Sequence, residues 1–474
     1  MSKKDQFKEY RIQIGHDELI ESKVLPLIVD NPESPEQEDI DKANKKLQEV
    51  LKETRVRIGT LLKTDNVSFL IGAGASIDAG GVSLATIPKS LEQALIADAE
   101  KKSPKSEAEP WIELFYQIVS SLSGQVFTYE SRKSSLLQDN DKDIPSIKVN
   151  LEDYLSHLHM WLAGIGSLGT SIHIIRDDGS ELQLEKTTLE TLVKKVTSCL
   201  SNLLDLPRAG CKNQLGVHRK FIKKILTRPL NLRRANLFSL NYDTLIEQGA
   251  DAEGAFLVDG FIGTLRRVFR PESYDLDFYF PAQTTEGRVH RFDRALHLYK
   301  LHGSINWHRT DQGWENPYGL YATFFNQKSQ DDDVLIYPSP LKYGQALGLP
   351  YSELFRRFGN AVAQPQSVLF TIGYGFGDEH VNALIRQALA IPSFTLIVVD
   401  PDPNSVFVKE LRVLGDERIW IVSGWLLATF ELFVSKLLPD LREEEIESKV
   451  MKTYRALAFP GHNEDVVVEN SNDE

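Results

Sequence analysis

The feature that most constrains this chain is a short apolar run that leads directly into small residues. The run Val67–Ile71 is typical of a strand buried in a parallel sheet. It is followed at once by Gly-Ala-Gly-Ala-Ser at 72–76, and such small residues let the backbone turn sharply and approach a ligand closely. If a helix begins near Ser76, its free amide groups suit a phosphate or diphosphate. The stretch predicts either a nucleotide-binding loop or an ordinary strand–helix turn.

The loop at 72–76 differs from two familiar phosphate-binding motifs. It lacks the third glycine of the dinucleotide-binding fingerprint at the expected place. No Gly-Lys-Ser/Thr follows it, as a Walker loop would require. The choice between the two interpretations therefore depends on the remainder of the chain.

Composition and charge exclude several classes of protein. The chain has 474 residues, 42% hydrophobic and 26% charged, which allows one large globular domain or two to three ordinary ones. Since no apolar run approaches the ~20 residues of a membrane span, and no signal-peptide pattern occurs, we expect a cytoplasmic protein without membrane association. The two cysteines, Cys199 and Cys211, cannot form a disulfide framework or a four-thiolate zinc site. The net charge of −13 argues against broad direct binding of nucleic acid.

Residues 1–66 are predicted to form an N-terminal helical extension. Ser34, Pro35 and Gln37 resemble a helix start, with serine as the cap and proline in the first turn. Apolar residues then recur at helical spacing as far as Leu62. This helix is expected to deliver the chain to the strand at Val67.

A large helical insertion is predicted at about 85–230. Within it, residues 129–148 are polar and rich in serine and aspartate, which favours a loop. His157 and His159 are two residues apart and therefore lie on different helix faces, so they make a poor metal pair. No metal site is predicted anywhere in the chain.

Apolar runs with strand character return after the insertion. They are Ala235–Leu240, Ala295–Leu301, Gln366–Ile372, Thr395–Val399 and Ile419–Val422, the last being followed by an apolar helix at Leu426–Leu438. The intervening stretches 255–300 and 313–343 are interpreted as largely irregular. The pattern predicts an α/β protein with a Rossmann-like parallel sheet in a catalytic domain at 67–440, followed by a C-terminal helix and acidic tail at 441–474.

Five of the predicted strand ends carry small or polar residues. They are Gly72–Ser76, Asn241–Asp243, His302–Ser304, Gly373–Asp378 and Asp400. Because ligands bind at the carboxyl ends of parallel strands, we expect these residues to share one site. His302 suits a general base near neutral pH, although a structural histidine bonded to the backbone fits the pattern equally well. Asp378 either binds ribose or caps a helix starting at Glu379.

The order of these segments resembles that of the sirtuin motifs. Gly72–Ser76, Ser239–Asp243, Leu301–Ser304 and Gly373-Tyr374 are similar to the Gly-Ala-Gly-x-Ser, Thr-Gln-Asn-Ile-Asp, His-Gly and Gly-Thr-Ser signatures, respectively. The resemblance implies NAD as the ligand and Asn241 and His302 as the catalytic pair. The cofactor-binding residues would then be Gly72, Ala73, Gly74, Ser76, Asp243, Gly373, Tyr374, Asp378 and Asp400, with Asp400 on the adenosine side. Asp243 would orient Asn241, contact the nicotinamide amide or be purely structural.

The departures from the sirtuin pattern narrow the resemblance. Protein deacylases of that family carry two Cys-x-x-Cys pairs after the His-Gly, whereas this chain has no cysteine beyond Cys211. Gly81–Leu84 stands where the family has an Asp-Phe-Arg run. In these respects the chain is similar to the sirtuin-like NAD hydrolases of prokaryotic antiphage defence, in particular the form encoded beside a HerA-like hexameric ATPase.

The resemblance implies an NAD glycohydrolase, with NAD as a substrate and no zinc. It also implies a homo-oligomer that works with a HerA-like ATPase. Two alternatives remain open at this point: an NAD-dependent protein deacylase or ADP-ribosyltransferase, and a non-catalytic NAD or ADP-ribose sensor.

Overall fold

The structure is a computed structural model that describes residues 11–18, 37–83, 86–102, 109–137, 147, 151–169, 171–175, 181–211, 215–280, 290–323, 350–402, 404–425, 427–443, 446 and 450. Its strands are β1 (Arg11–Ile14), β2 (Asp17–Glu18), β3 (Asn66–Ile71), β4 (Ser171–Ile175), β5 (Glu181–Glu185), β6 (Asn236–Ser239), β7 (Phe256–Val258), β8 (Phe261–Ile262), β9 (Arg267–Phe269), β10 (Ala295–Lys300), β11 (Trp307–Arg309), β12 (Leu320–Ala322), β13 (Ser367–Ile372), β14 (Thr395–Asp400) and β15 (Ile419–Ser423). Its α-helices are α1 (Gln37–Leu61), α2 (Ile87–Lys102), α3 (Pro110–Ser123), α4 (Tyr129–Leu137), α5 (Leu151–Leu168), α6 (Lys186–Leu204), α7 (Gly216–Ile225), α8 (Leu245–Ala252), α9 (Tyr351–Val362), α10 (Glu379–Leu389), α11 (Val406–Leu414) and α12 (Phe430–Leu432).

In the described part of the chain, the main sheet has nine strands in the order β2-β1-β15-β14-β13-β3-β6-β10-β7. All neighbours from β15 to β7 are parallel, whereas β1 pairs antiparallel with both β15 and β2 at one edge. This topology confirms the predicted α/β class with a mostly parallel, Rossmann-like sheet. The chain leaves β3 towards β6 on one side and returns to β13 on the other. The strand order therefore reverses between β3 and β13, which is where open α/β sheets bind their ligands.

Burial on both faces explains why the central strands consist of continuous apolar runs. In β3, Phe69 and Ile71 face one core, whereas Leu70 faces the other. All six residues of β13 are buried. Such strands show no alternation of polar and apolar residues, since neither face meets water.

Helices cover both faces of the sheet. One face packs against α1, α7, α8 and the C-terminal segment around the π-helix Phe433–Leu437. The other packs against α9, α10 and α11. The N-terminal extension thus ends in helix α1, which covers the sheet. Ile58 in its last turns and Leu62 just after it are buried against the sheet.

Helices α2 to α6 share a separate apolar core within the predicted insertion, together with residues of the β4–β5 hairpin. The predicted loop at 129–148 is wrong in its first part, where α4 stands. Arg132 of α4 is buried and pairs with Glu92 at 2.6 Å, while Tyr129 packs into the same core. These tertiary contacts outweigh the polar local composition. Most of the remainder of that stretch lies outside the described residues.

The prediction of irregular structure at 255–300 and 313–343 is also wrong in part. The strand predicted at the end of the first stretch is confirmed as β10, but that stretch also contributes β7 to the main sheet. Among the described residues, β8 and β9 of the first stretch and β12 of the second join β11 in a further sheet of four strands, in the order β11-β12-β9-β8. Phe261 lies 5.1 Å from Trp307 between ring centroids, and similar aromatic contacts fill this small sheet. Its strands are two to three residues long, too short to show a period. Residues 281–289 and 324–343 lie outside the described part.

Two helices were predicted near the ends of the chain, and the structure describes part of each. The predicted helix start at Ser34-Pro35 lies outside the described residues, and the described part of this helix runs from Gln37 onward. The apolar helix predicted at Leu426–Leu438 begins later, at Phe430, where the Thr429 side chain caps it by accepting from the Leu432 amide. The acidic tail beyond residue 450 lies outside the described part. None of the described helices has the length and apolar character needed to cross a membrane.

Candidate functional site

The five predicted strand ends lie on five neighbouring strands of the main sheet. In sheet order they are the ends of β14 (Asp400), β13 (Gly373), β3 (Gly72), β6 (Asn241) and β10 (His302). Because these strands are parallel, all five ends meet at the same edge. The candidate site is therefore centred on the point where the strand order reverses.

Close backbone contact joins the loops after β3 and β13. The amides of Gly72 and Gly74 donate to the carbonyls of Ile372 and Gly373, each at 2.9 Å. A Cβ added to Gly72 would lie 2.6 Å from the Gly373 oxygen, and one added to Gly74 would lie 2.7 Å from the Gly373 Cα. Gly373 itself has a φ of +61°. Only glycine allows the two loops to approach this closely.

The helix after the glycine loop differs from the predicted one. It begins at Ala73 rather than near Ser76, and it is a seven-residue 3₁₀-helix that ends at Ala79. Gly80 follows it in the left-handed conformation, with a φ of 92°. The Gly74 and Ala75 amides donate to the Gly373 and Gly72 carbonyls. These two amides are therefore already bonded within the protein.

The side-chain amide of Asn241 is fixed by two hydrogen bonds. Its Nδ2 donates to the Gly72 carbonyl and to the Ser76 hydroxyl, each at 3.0 Å. The Asn241 backbone amide donates to Ser239 Oγ at 3.1 Å. Since both Nδ2 protons are used within the protein, the amide offers its Oδ1 as an acceptor. An amide held in this way is suited to accept a hydrogen bond from a water or a hydroxyl group.

Asp243 connects the glycine loop to the loop after β6. Its Oδ2 accepts from the Ser76 hydroxyl at 2.6 Å, and its Oδ1 accepts from the Leu245 amide at 3.1 Å. Ser76 in turn accepts from Asn241. Of the three roles considered for Asp243, this geometry supports orientation of Asn241, acting through Ser76.

His302 lies at the end of the site, against Asp378. Its Nε2 and the Asp378 Oδ2 are 2.9 Å apart, and the residue as a whole is only 6% exposed. The other carboxylate oxygen, Oδ1, accepts from the amides of His380 and Val381 at 2.9 and 3.3 Å. Asp378 therefore caps α10, as the second of its two predicted roles proposed.

Tyr374 and Asp400 differ in how they face the site. The Tyr374 hydroxyl is 3.0 Å from both the Asp378 carbonyl and Asn382 Oδ1, so its side chain is directed into the fold. Any ligand contact from Tyr374 must then come from its backbone. Asp400 is half-buried, and its Oδ1 accepts from the Asp402 amide at 3.0 Å. Burial raises the pKa of Asp400 to about 6.

Sequence reasoning missed Lys300, the last residue of β10. It is 2% exposed, its ammonium group donates to the Asp243 carbonyl, and it lies 3.4 Å from Glu247 Oε1. Burial raises the pKa of Glu247, an effect that Lys300 opposes. A lysine is rarely buried without a partner. Its position in an apolar strand, two residues before His302, was the available signal.

The helical insertion contacts two loops of the site. Tyr242 and Ile305 pack against the core of α2 to α6. The Ile305 amide donates to the Tyr242 carbonyl at 3.0 Å, which joins the two loops. The insertion is thereby connected to the residues next to Asn241 and His302. Within the described part of the chain, no cluster of histidine, cysteine, aspartate and glutamate is placed to hold a metal ion.

Comparison with known proteins gives a family match that covers the part of the candidate site from β6 onward. A family model described as a SIR2-like domain matches residues 235–413, which include Asn241, His302, Gly373, Asp378 and Asp400. No curated protein sequence matches the chain.

Among solved structures, the chain is similar to two ADP-ribose complexes of Sir2 homologues. The first, a serine-to-alanine mutant, shares 11% identity, covers 77% of this chain and 95% of its own, and has a TM-score of 0.27. The second, a histidine-to-asparagine mutant, shares 11% identity, covers 75% and 94%, and has a TM-score of 0.26. Such scores do not support a residue-by-residue comparison. Over residues 235–413, the chain is thus similar to SIR2-like domains.

Proposed function

We propose that the protein is an NAD glycohydrolase, which cleaves the nicotinamide–ribose bond to give nicotinamide and ADP-ribose. One observation carries the proposal: Asn241, His302 and the glycine loop meet where the strand order reverses, in a chain similar to SIR2-like domains over 235–413. Dinucleotides bind at this place in parallel α/β sheets. The glycine loop and Gly373 would lie along the diphosphate, Asp400 on the adenosine side, and Asn241 and His302 at the nicotinamide ribose.

The chemistry of this bond fits the residues at the site. Nicotinamide leaves as a neutral molecule from a cationic ring, so its departure needs little acid catalysis. The site must instead stabilise an oxocarbenium-like ribose and direct a water to its anomeric carbon. The Asn241 Oδ1 would accept a hydrogen bond from that water or from a ribose hydroxyl. As the C–N bond breaks and the C–O bond forms, His302 would take the proton from the water and return it to solvent.

The first prediction is that the purified full-length chain converts NAD to nicotinamide and ADP-ribose in equal amounts. Chromatography of the reaction measures both products. A cyclic nucleotide product, or transfer of an acyl group from a peptide, would contradict simple hydrolysis and favour a transferase. Bound NAD that is never cleaved would favour a sensor.

We further propose that assembly controls this activity, in a homo-oligomer that docks a HerA-like ATPase in the cytoplasm as part of an abortive antiphage response. An unrestrained NAD hydrolase would exhaust the cell's cofactor, so the free protein is expected to be weak. The packing of Tyr242 and Ile305 against the insertion core supports a physical connection between the insertion and the site. Docking on the insertion would favour an open form of the site by binding it more tightly than the closed form.

The second prediction is that NAD turnover rises when the ATPase partner is added, and that the free chain is oligomeric. Light scattering after size-exclusion chromatography gives the mass, and turnover is compared with and without partner. As a control, the ATPase is added without ATP, which shows whether docking alone is enough to raise NAD turnover. A monomer that is fully active alone would contradict the proposal. The extension and the insertion would then only shield apolar surface of the fold, as α1 does on one face of the sheet.

A further inference from the structure

We propose that Asp378 is a positioning residue that fixes the tautomer of His302 and makes its Nδ1 the proton-accepting atom. The kinetic consequence rests on the proposed function. The tautomer is a property of the protein by itself, so it is testable whether or not NAD is hydrolysed.

The contact with Asp378 determines which ring nitrogen of His302 carries the proton. An ionised carboxylate can only accept hydrogen bonds, and Asp378 Oδ2 lies 2.9 Å from Nε2. Nε2 is therefore the donor. In a neutral imidazole the other nitrogen then has the free lone pair. The ring would take up a proton at Nδ1.

Asp378 is held rigidly enough to perform this role. Its Oδ1 accepts from the His380 and Val381 amides, which anchors the carboxylate at the start of an eleven-residue helix. The amino-terminal end of a helix also favours a negative charge. The hydroxyl of Tyr374 bonds to the Asp378 carbonyl at 3.0 Å and fixes the backbone on the other side. Both oxygens of the carboxylate thus have assigned partners.

The environment of the His302 ring confines it further. The rings of Tyr242 and Phe355 each lie 6.3 Å from it between centroids. Gly303, which follows it, has a φ of +87° and donates its amide to the Lys300 carbonyl. The imidazole therefore has two aromatic rings beside it, and its Nε2 is directed at Asp378.

This arrangement assigns a distinct task to each partner during hydrolysis. A proton from the attacking water moves to Nδ1 of His302, and the resulting imidazolium has its Nε2–H on the Asp378 carboxylate. Asp378 stays ionised and stabilises the positive charge without taking the proton, as the aspartate of a serine-protease triad does. A direct contact of Asp378 with a ribose hydroxyl is the competing role, and it predicts a different kinetic effect.

The test is the variant Asp378→Asn, because the helix cap dictates how the new amide must be turned. Asparagine caps helices about as well as aspartate, so the fold should be retained. Its single side-chain oxygen must accept from the His380 and Val381 amides. Its NH₂ group then faces Nε2 of His302, which can accept only by losing its proton. The ring should switch to the tautomer with the proton on Nδ1, where the lone pair is needed.

The tautomer is read from ¹⁵N chemical shifts of the histidine rings, with His302→Gln used to identify the His302 signals. We expect Nε2–H in the wild type and Nδ1–H in Asp378→Asn. For turnover of NAD we expect kcat to fall by about 10²–10⁴-fold, with KM changed by less than about threefold. Asp378→Ser, which caps the helix but is too short to reach the ring, should also lose kcat.

The matched control is Ser405→Ala, which removes the N-cap of α11, where Ser405 Oγ accepts from the Val408 amide at 3.2 Å. It should lower the melting temperature and leave both the His302 tautomer and kcat unchanged. Wild-type His302 with its proton on Nδ1, or signals unaltered in Asp378→Asn, would overturn the inference. So would a higher KM at unchanged kcat, which indicates a ribose contact. If the wild type does not cleave NAD even with its partner, the proposed function fails while the tautomer result stands.

Discussion

Asn241→Ala and His302→Ala are each expected to reduce NAD hydrolysis by at least about 10²-fold while the protein remains folded. His302→Ala removes the proton acceptor. Asn241→Ala removes the oxygen that directs the water, together with two hydrogen bonds to Gly72 and Ser76. Neither change leaves a large apolar cavity. Losing the Asn241 bonds should cost about 1–3 kcal/mol of unfolding free energy, and this loss should appear as a modest fall in melting temperature.

Turnover is measured by release of nicotinamide, and folding by circular dichroism and thermal unfolding. His159→Ala is the matched control, since it removes an exposed histidine from α5. It should leave both readouts at the wild-type level. Wild-type rates of NAD loss in both site variants would refute the assignment of the catalytic pair.

The parallel core of the fold was predictable because burial on two faces leaves a strong signal in the sequence. The runs at Val67–Ile71 and Gln366–Ile372 are mainly apolar, and each is followed directly by a glycine. Because the carboxyl ends of parallel strands lie at the same edge of a sheet, the shared position of the strand ends follows from the strand prediction. The sequence order alone did not reveal that β13 pairs with β3, which places Gly373 directly against Gly72.

The missed elements share a physical cause, namely that tertiary contacts determined their structure. Helix α4 has a polar local sequence and is held by the buried pair of Arg132 and Glu92. The short strands of the second sheet are held by aromatic contacts such as that of Phe261 with Trp307. Lys300 is tolerated inside β10 because a carbonyl and Glu247 surround its charge. None of these partners is close in sequence.

For the candidate site, the sequence indicated which residues lie at the shared sheet edge, but it did not indicate how they are hydrogen-bonded. The identities of Asn241 and His302 followed from the motif order. The direction of the Asn241 amide followed only from the Ser76 and Gly72 contacts, and the partner of His302 only from the position of Asp378. Hydrogen-bond direction depends on three-dimensional neighbours, and it is this direction that assigns the chemical roles.

Gly373→Ala is expected to disrupt the site more than any other single-methyl change in it. Alanine at a φ of +61° costs about 1–2 kcal/mol in backbone strain. The added Cβ would lie 2.6 Å from the Ala75 nitrogen and 2.7 Å from the Gly74 Cα. Both are backbone atoms and cannot move aside as a side chain does. The glycine loop must therefore be displaced from β13, and we expect a total loss of about 3–5 kcal/mol in unfolding free energy.

The displacement is measured by chemical unfolding and by calorimetric titration with ADP-ribose, whose affinity should fall at least about tenfold. Gly375→Ala is the matched control two residues away, because its Cβ would meet nothing within 4 Å. Gly74→Ala produces the same steric clash from the opposite loop, because its Cβ would lie 2.7 Å from the Gly373 Cα. It does so without the strain of a positive φ. It should weaken ADP-ribose binding at a smaller cost in stability, so the binding effect is measurable even if Gly373→Ala does not fold. Equal affinity for ADP-ribose in Gly74→Ala and Gly375→Ala would show that contact between the two loops does not form the binding site.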